Sequence, residues 1–267
     1  MELMIRSAVH NGIPVLELWQ PQLQSAPVVI AQHGYLGRKE FILPQAYNLA
    51  SQGFFTIVPD AFRHGDRALG TPYALPAHPS HPLGGRDEPG LFPDLIDAAV
   101  QTALGIDGLL SAYDDDERAD TARAGLTGFS MGGMVCFYYL TLPQKRIKAL
   151  CPVIGSPDWY SILQTPPVKA QYAAIGVTTP EAVESLVART LAVAPSSVTR
   201  VDPLPMLVQN GGIDELIPAQ PVRDYMERIR PCYADAEQLQ IDIVPGLGHS
   251  DTLEINLRLA VWFHKYL

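Results

Sequence analysis

The sequence predicts an α/β fold in which a mostly parallel central sheet carries helices on both faces and a small cap is inserted near its end. Three observations lead there. Short β-rich apolar runs bounded by Gly and Pro alternate with segments of helical period, the pattern of parallel strands joined by crossover helices. Several of these runs, such as Val28-Val29-Ile30 and Met206-Leu207-Val208, are apolar on consecutive residues, as strands buried on both faces should be. The segment 156–201 then interrupts the alternation between two expected strands.

Taken in order, strands are expected at 14–18, 27–32, 54–58, 124–129, 149–154, 206–209 and 240–244. Helices are expected between them at 41–52, 93–110, 133–142, 219–229 and 252–266. In the second of these, Leu95, Ile96, Ala99, Val100, Ala103 and Leu109 form one apolar face while Asp94, Asp97 and Gln101 fall elsewhere. The stretch 68–91 contains Pro72, Pro76, Pro79, Pro82 and Pro89 and cannot be a regular element. Segment 156–201 has Pro166-Pro167 and a helical stretch at 180–190, and its length suits a cap over the sheet edge. No repeats, low-complexity tracts or linkers appear. The organisation expected is one core built from 1–155 and 202–267, with 156–201 as an insertion.

A chain of 267 residues with 47% hydrophobic and 18% charged residues buries a substantial core, which excludes disorder as its default state. A net charge of −9 repels phosphate backbones and anionic bilayers, so neither a nucleic-acid nor a membrane partner is expected. Cys136, Cys151 and Cys232 provide neither a disulfide framework nor a zinc cluster, which fits a reducing compartment. The start Met1-Glu2-Leu3-Met4-Ile5-Arg6 has no signal-peptide character. The longest uncharged stretch, 124–144, is broken by Gly125, Gly128, Gly132, Gly133 and Pro143 and reads as strand, turn and helix rather than a bilayer span. A cytoplasmic protein is expected. The acidic run 114–117 lacks the spaced ligands of a calcium loop and reads as a solvated turn.

Gly128-Phe129-Ser130-Met131-Gly132 is a G-x-S-x-G between an apolar strand and a helix. Its glycines relieve the crowding of a sharp turn, which holds the serine hydroxyl out of the sheet while the following helix points its first amides at any anion formed there. A serine is a poor nucleophile unless a neutral imidazole takes its proton, so a histidine and an orienting acid are required. Asp214 lies in Gly211-Gly212-Ile213-Asp214 just past one strand, and His249 in Gly246-Leu247-Gly248-His249 just past another. In open α/β sheets reactive groups gather outside the carboxyl ends of the strands, where Ser130, Asp214 and His249 all fall. His33-Gly34-Tyr35-Leu36-Gly37 ends another strand there. The backbone N–H groups of Tyr35 and Met131 are the expected oxyanion donors, with Leu36 replacing Tyr35 if the loop is shifted by one. His33 is expected to brace that loop rather than carry protons.

The His-Gly-Tyr of 33–35, Gly-Phe-Ser-Met-Gly of 128–132, Gly-Gly-Ile-Asp-Glu-Leu-Ile-Pro of 211–218 and Gly-Leu-Gly-His of 246–249 together resemble the α/β-hydrolase superfamily over nearly the whole chain. The short oxyanion loop and Pro59-Asp60-Ala61-Phe62-Arg63-His64-Gly65 resemble its small bacterial carboxylesterases related to the dienelactone hydrolase and prolyl oligopeptidase groups. Dienelactone hydrolases carry a cysteine where Ser130 stands, and the oligopeptidases add a propeller domain. The resemblance implies an α/β-hydrolase fold and a Ser-His-Asp carboxylesterase with no metal or organic cofactor.

The function expected is hydrolysis of short- to medium-chain carboxylic esters through an acyl-enzyme, with a small-molecule ester as partner and a monomer or homodimer as the assembly. Peptide or thioester cleavage by the same triad is the alternative, and a non-catalytic small-molecule-binding protein the alternative of another class. Trp159, Tyr160, Leu163 and Tyr172 either line the substrate pocket or form the cap's own core. His64, Asp66, His78 and His81 have no spacing that fixes a metal geometry, so no metal site is expected.

Overall fold

The computed structural model describes residues 2–68, 92–143, 145–174 and 178–267. Its chain forms strands β1 (Met4–His10), β2 (Ile13–Trp19), β3 (Ala26–Gln32), β4 (Phe55–Pro59), β5 (Ala119–Phe129), β6 (Ala149–Val153), β7 (Met206–Gly211) and β8 (Leu239–Val244). The helices are α1 (Leu43–Ser51), α2 (Phe92–Ser111), α3 (Met131–Leu140), α4 (Trp159–Leu163), α5 (Pro166–Ala174), α6 (Pro180–Val193), α7 (Ala219–Ile229) and α8 (Leu253–Tyr266).

The strands make one sheet in the order β1-β2-β4-β3-β5-β6-β7-β8. From β4 to β8 every pairing is parallel, and the β1–β2 hairpin closes the β4 side with antiparallel pairings. The fold is therefore the α/β-hydrolase arrangement, with a mostly parallel sheet of eight strands between helices.

Alternation along β3 shows why consecutive apolar residues are needed. Val28 and Ile30 pack into the larger core with Leu126 of β5, Met134 and Phe137 of α3, Ile106 and Leu110 of α2 and Val222 of α7. Val29 and Ala31 point the other way, into a second core with Leu49 of α1 and Ile255, Leu259 and Phe263 of α8. Each such side chain, once fully buried, contributes roughly 1.5 to 3 kcal/mol.

The sequence reading omitted β1. Its residues are mostly exposed, so no apolar run marks it; the hairpin is tied down instead by Glu17 of β2, which is fully buried. The Glu17 carboxylate accepts hydrogen bonds from Arg6 Nη2 (2.6 Å), Tyr113 Oη (3.2 Å) and Arg118 Nη2 (3.2 Å) and is paired with His10 Nε2 at 2.9 Å. β5 begins at Ala119 rather than at 124, and α3 begins immediately after Ser130 rather than at 133. Segment 156–201 contains α4 and α5 in addition to the expected helix, and Trp159, Ile162, Leu163, Val168 and Leu186 from it join the larger core. The acidic run is engaged in surface pairs, Asp114 with Arg146 and Asp116 with Arg118.

Candidate active site

Pairing register places the strand ends at one rim. Gln32 of β3 lies beside Gly128 of β5, Phe129 beside Val153 of β6, Val153 beside Gln209 of β7, and Gly211 beside Val244 of β8. The loops leaving these ends therefore share one side of the molecule.

Ser130 stands between β5 and α3 with φ 56° and ψ −111°, a conformation that costs a non-glycine residue about 1 to 3 kcal/mol. Its amide donates to the Val153 carbonyl at 2.9 Å, and its carbonyl accepts from the Met134 amide at 3.0 Å, so both sides of the turn are held. The turn brings α3 against the sheet at backbone distance. A Cβ on Gly132 would stand 2.2 Å from the Gln32 carbonyl oxygen, and one on Gly128 would stand 2.6 Å from the Gly132 carbonyl carbon. Only glycine fits either position.

His249 Nε2 lies 3.0 Å from Ser130 Oγ, and His249 Nδ1 lies 2.8 Å from Asp214 Oδ2. The Asp214 carboxylate only accepts, which assigns the imidazole proton to Nδ1 and leaves Nε2 to accept from the serine hydroxyl. Asp214 Oδ1 accepts from the amides of Leu216 and Ile217, each at 2.9 Å, so the loop after β7 aims the carboxylate. Burial pushes the Asp214 carboxyl up, but hydrogen bonds from His249, Ile217 and Leu216 outweigh it and hold it below the ordinary carboxylate range. The ring of Phe129 packs on the His249 imidazole, with centroids 5.4 Å apart.

The loop 33–37 reaches the same point, since a Cβ on Gly34 would stand 3.5 Å from the Cβ of Ser130. Gly34 carbonyl oxygen accepts from the Gly37 amide at 3.1 Å and from His33 Nδ1 at 2.7 Å, and His33 Nε2 accepts the Ala61 amide at 3.0 Å. Burial lowers the His33 pKa to about 4, so the ring is neutral and can make one bond of each kind. Tyr35 follows in this turn and packs on His64 at 5.3 Å. Met131 is the first residue of α3, so its amide has no carbonyl one turn earlier in the helix to bond.

A bracing pair that the sequence reading missed lies beneath this loop. The Lys39 amide donates to Asp60 Oδ1 at 2.8 Å and its ammonium to Asp60 Oδ2 at 2.9 Å, with both residues buried. Both acids after β4 are occupied by this lysine, since Asp66 also pairs with Lys39 Nζ. His64 Nδ1 donates to the Phe62 carbonyl at 2.8 Å. His78 and His81 lie outside the described residues.

The candidate pocket residues separate. Trp159 and Leu163 are buried in the larger core, where Trp159 Nε1 donates to the Ser156 carbonyl at 3.0 Å and its ring stacks on Tyr138. Tyr160 is 39% exposed, and the side chain of Tyr172 lies outside the described residues. A cavity of about 290 Å³ next to the Ser130 turn is lined instead by His33, Gly34, Tyr35, Gly37, Phe41, Ile42, Phe129 and Asp251. A cavity of about 390 Å³ lies between α2 and α6, with Ile96, Val100, Leu186 and Thr190 in its wall; neither cavity has Ser130, Asp214 or His249 in its wall, and the smaller one flanks the serine turn through Gly34 and Phe129. No described helix is long and apolar enough to cross a membrane.

Comparison with known proteins agrees with this architecture. Among curated proteins, "Putative esterase YitV" of Bacillus subtilis (strain 168) is 28% identical over 273 residues, covering 99% of this chain and 100% of its own. Among solved structures, TT1662 from Thermus thermophilus superposes with a TM-score of 0.75 at 20% identity, over 99% of this chain and 98% of that one. The Pyrococcus furiosus esterase Pf2001 superposes with a TM-score of 0.63 at 16% identity, over 99% and 93%. At such identities the structural likenesses carry the fold alone. Sequence carries more: residues 17–254 match the dienelactone hydrolase family, and the chain belongs to it.

Proposed function

We propose that this chain is a serine hydrolase that cleaves carboxylic esters of short to medium acyl chain through an acyl-enzyme, with Ser130, His249 and Asp214 as its triad. The observation that carries the reading is the unbroken hydrogen-bonded series from Ser130 Oγ through His249 to Asp214 Oδ2, at 3.0 and 2.8 Å. The name of the Bacillus subtilis relative, "Putative esterase YitV", points the same way.

In this reading Ser130 Oγ attacks the ester carbonyl carbon while His249 Nε2 takes its proton. The carbonyl π pair moves onto oxygen, and the amides of Tyr35 and Met131 stabilise the charge; one such donor contributes about 3 to 4 kcal/mol. Collapse breaks the bond to the alcohol oxygen, which receives the proton from His249. Water then attacks the acyl carbon as His249 takes its proton, and collapse breaks the bond to Ser130 Oγ, which receives the proton back from His249 as the acid leaves. Asp214 keeps the imidazole in the required tautomer and stabilises its charged form. The protein's own groups supply every proton transfer. The three free thiols, Cys136, Cys151 and Cys232, suit a cytoplasmic setting.

The test is covalent labelling with a fluorophosphonate, followed by a p-nitrophenyl ester series. Wild type should be labelled at Ser130 and turn over acetate to hexanoate, while Ser130→Ala should do neither and remain folded. A labelled residue other than Ser130, or undiminished turnover by the alanine variant, would overturn the assignment. Matched ester, thioester and peptide substrates compared by kcat/KM separate the ester reading from the other two.

A further inference from the structure

The cavity beside the Ser130 turn has a chemistry of its own. Its walls are His33, Gly34, Tyr35 and Gly37 of one loop together with Phe41, Ile42 and Phe129, and Asp251 adds an acidic residue. At about 290 Å³ it is near the lower end of small-ligand pockets, enough for a benzyl-sized group but not for an extended lipid chain. Phe41 is 64% exposed, and Asp251 is exposed as well.

Where the cavity lies relative to His249 decides which half of a substrate it can hold. Under the proposed function, the leaving alcohol must sit on the imidazole side of the tetrahedral centre, because it receives its proton from His249 Nε2. Phe129 forms a wall of the cavity and packs its ring on that imidazole, and Asp251 follows His249 by two positions in the loop that leads into α8. Gly34, another wall, faces Ser130 closely enough that a Cβ built on it would stand 3.5 Å from the Ser130 Cβ. The cavity thus flanks the Ser130 turn through Gly34 and Phe129 and the His249 loop through Phe129 and Asp251, with neither Ser130 nor His249 in its own wall.

We infer that this cavity is the leaving-group site, and that it selects esters of apolar, aromatic-sized alcohols that are neutral or cationic and rejects anionic ones. Tyr35, Phe41, Ile42 and Phe129 supply the apolar contact. Asp251 supplies the charge selection, and its Oδ2 has a fixing partner in Asn256 Nδ2 at 3.3 Å that leaves its other oxygen for a ligand donor. The chain's net charge of −9 acts in the same direction at longer range. His33, also in the wall, is neutral because burial lowers its pKa to about 4, so it does not offset the carboxylate.

This inference rests on the serine-hydrolase reading, and the experiment separates the two. Acetate esters of methanol, benzyl alcohol, 4-(trimethylammoniomethyl)benzyl alcohol and 4-carboxybenzyl alcohol are compared by kcat/KM in wild type, Phe41→Ala and Asp251→Asn, alongside fluorophosphonate labelling of each protein. Because the acyl group is common, differences report the alcohol. The benzyl ester should exceed the methyl ester by about tenfold or more in wild type, and Phe41→Ala should remove most of that ratio. The cationic ester should exceed the carboxylate ester by about tenfold at low salt, with Asp251→Asn bringing the two within about threefold and added salt narrowing the wild-type gap. Should Ser130 label normally while neither ratio moves in its variant, the leaving-group site is wrong and the hydrolase reading stands. Absence of both labelling and turnover in wild type would overturn both.

Discussion

His33 Nε2 accepts the amide of Ala61 at 3.0 Å and so fastens the end of β3 to the end of β4 directly beneath the turn that carries Tyr35. The bond exists only while that nitrogen is unprotonated, and this makes the loop's anchor a titrating one.

Acid should therefore loosen it. Burial lowers the His33 pKa to about 4, whereas a solvated histidine titrates near 6.5. Between these values the unfolded chain binds the extra proton, so the contribution to stability is complete above about pH 6.5 and is lost as the pH falls toward 4. Lowering the pH from 7 to 4.5 should cost wild type about 2 to 3 kcal/mol through this residue. Urea unfolding at both pH values should show a smaller difference for His33→Gln, and an equal difference would assign the loss to other groups.

Asp214→Asn should leave the loop folded and nearly abolish turnover. The amide oxygen can still accept from Leu216 and Ile217, but its NH2 would face His249 Nδ1 and drive the imidazole proton to Nε2, where the serine needs an acceptor. A fall in kcat of about 10⁴ with little change in melting temperature is expected on p-nitrophenyl acetate. The wild-type carboxylate, held below its ordinary range, keeps its charge through mildly acidic pH, so its share of stability fades only as the pH drops through that lowered value.

Two glycines should respond oppositely to alanine. At Gly132 the new methyl would meet the Gln32 carbonyl oxygen at 2.2 Å, and neither backbone can yield, so Gly132→Ala should lose more than about 3 kcal/mol or fail to accumulate. At Gly105, inside α2, nothing stands within 4 Å, and Gly105→Ala should gain about 0.5 to 1 kcal/mol in urea unfolding.

Glu17→Ala tests the hairpin. It would strip Arg6 and Arg118 of their shared buried carboxylate, leaving Arg118 with Asp116 and the faces of Trp19 and Phe55. With Arg6 half exposed and Arg118 still paired, the main cost is the buried Tyr113 hydroxyl left without its acceptor, so a loss of about 1 to 3 kcal/mol and a melting temperature lower by roughly 5 °C are expected by calorimetry.

The features that sequence revealed are those written locally. Gly128 to Gly132 encode a strand, a steric turn and a helix start within one short stretch, and the loops holding Asp214 and His249 directly follow apolar runs, so the rim could be assembled on paper. The β1 strand left no such mark because its partner's single buried acid, rather than an apolar face, secures it. Lys39 and Asp60 were equally silent, since a charged pair from two loops looks like solvated surface until the chain brings them together and buries both. Trp159 and Leu163 show the converse: an aromatic and an aliphatic residue in an inserted segment fit a pocket wall or the cap's own core on sequence grounds, whereas the structure buries both in the larger core, with Trp159 stacked on Tyr138.

The bareness of Gly128 and Gly132 lets the first turn of α3 approach the ends of β3 and β5 backbone to backbone, and that mounting fixes where residue 130 stands. A thiol sulfur at residue 130, bonded to Cβ as the hydroxyl oxygen is, would be presented from the same perch.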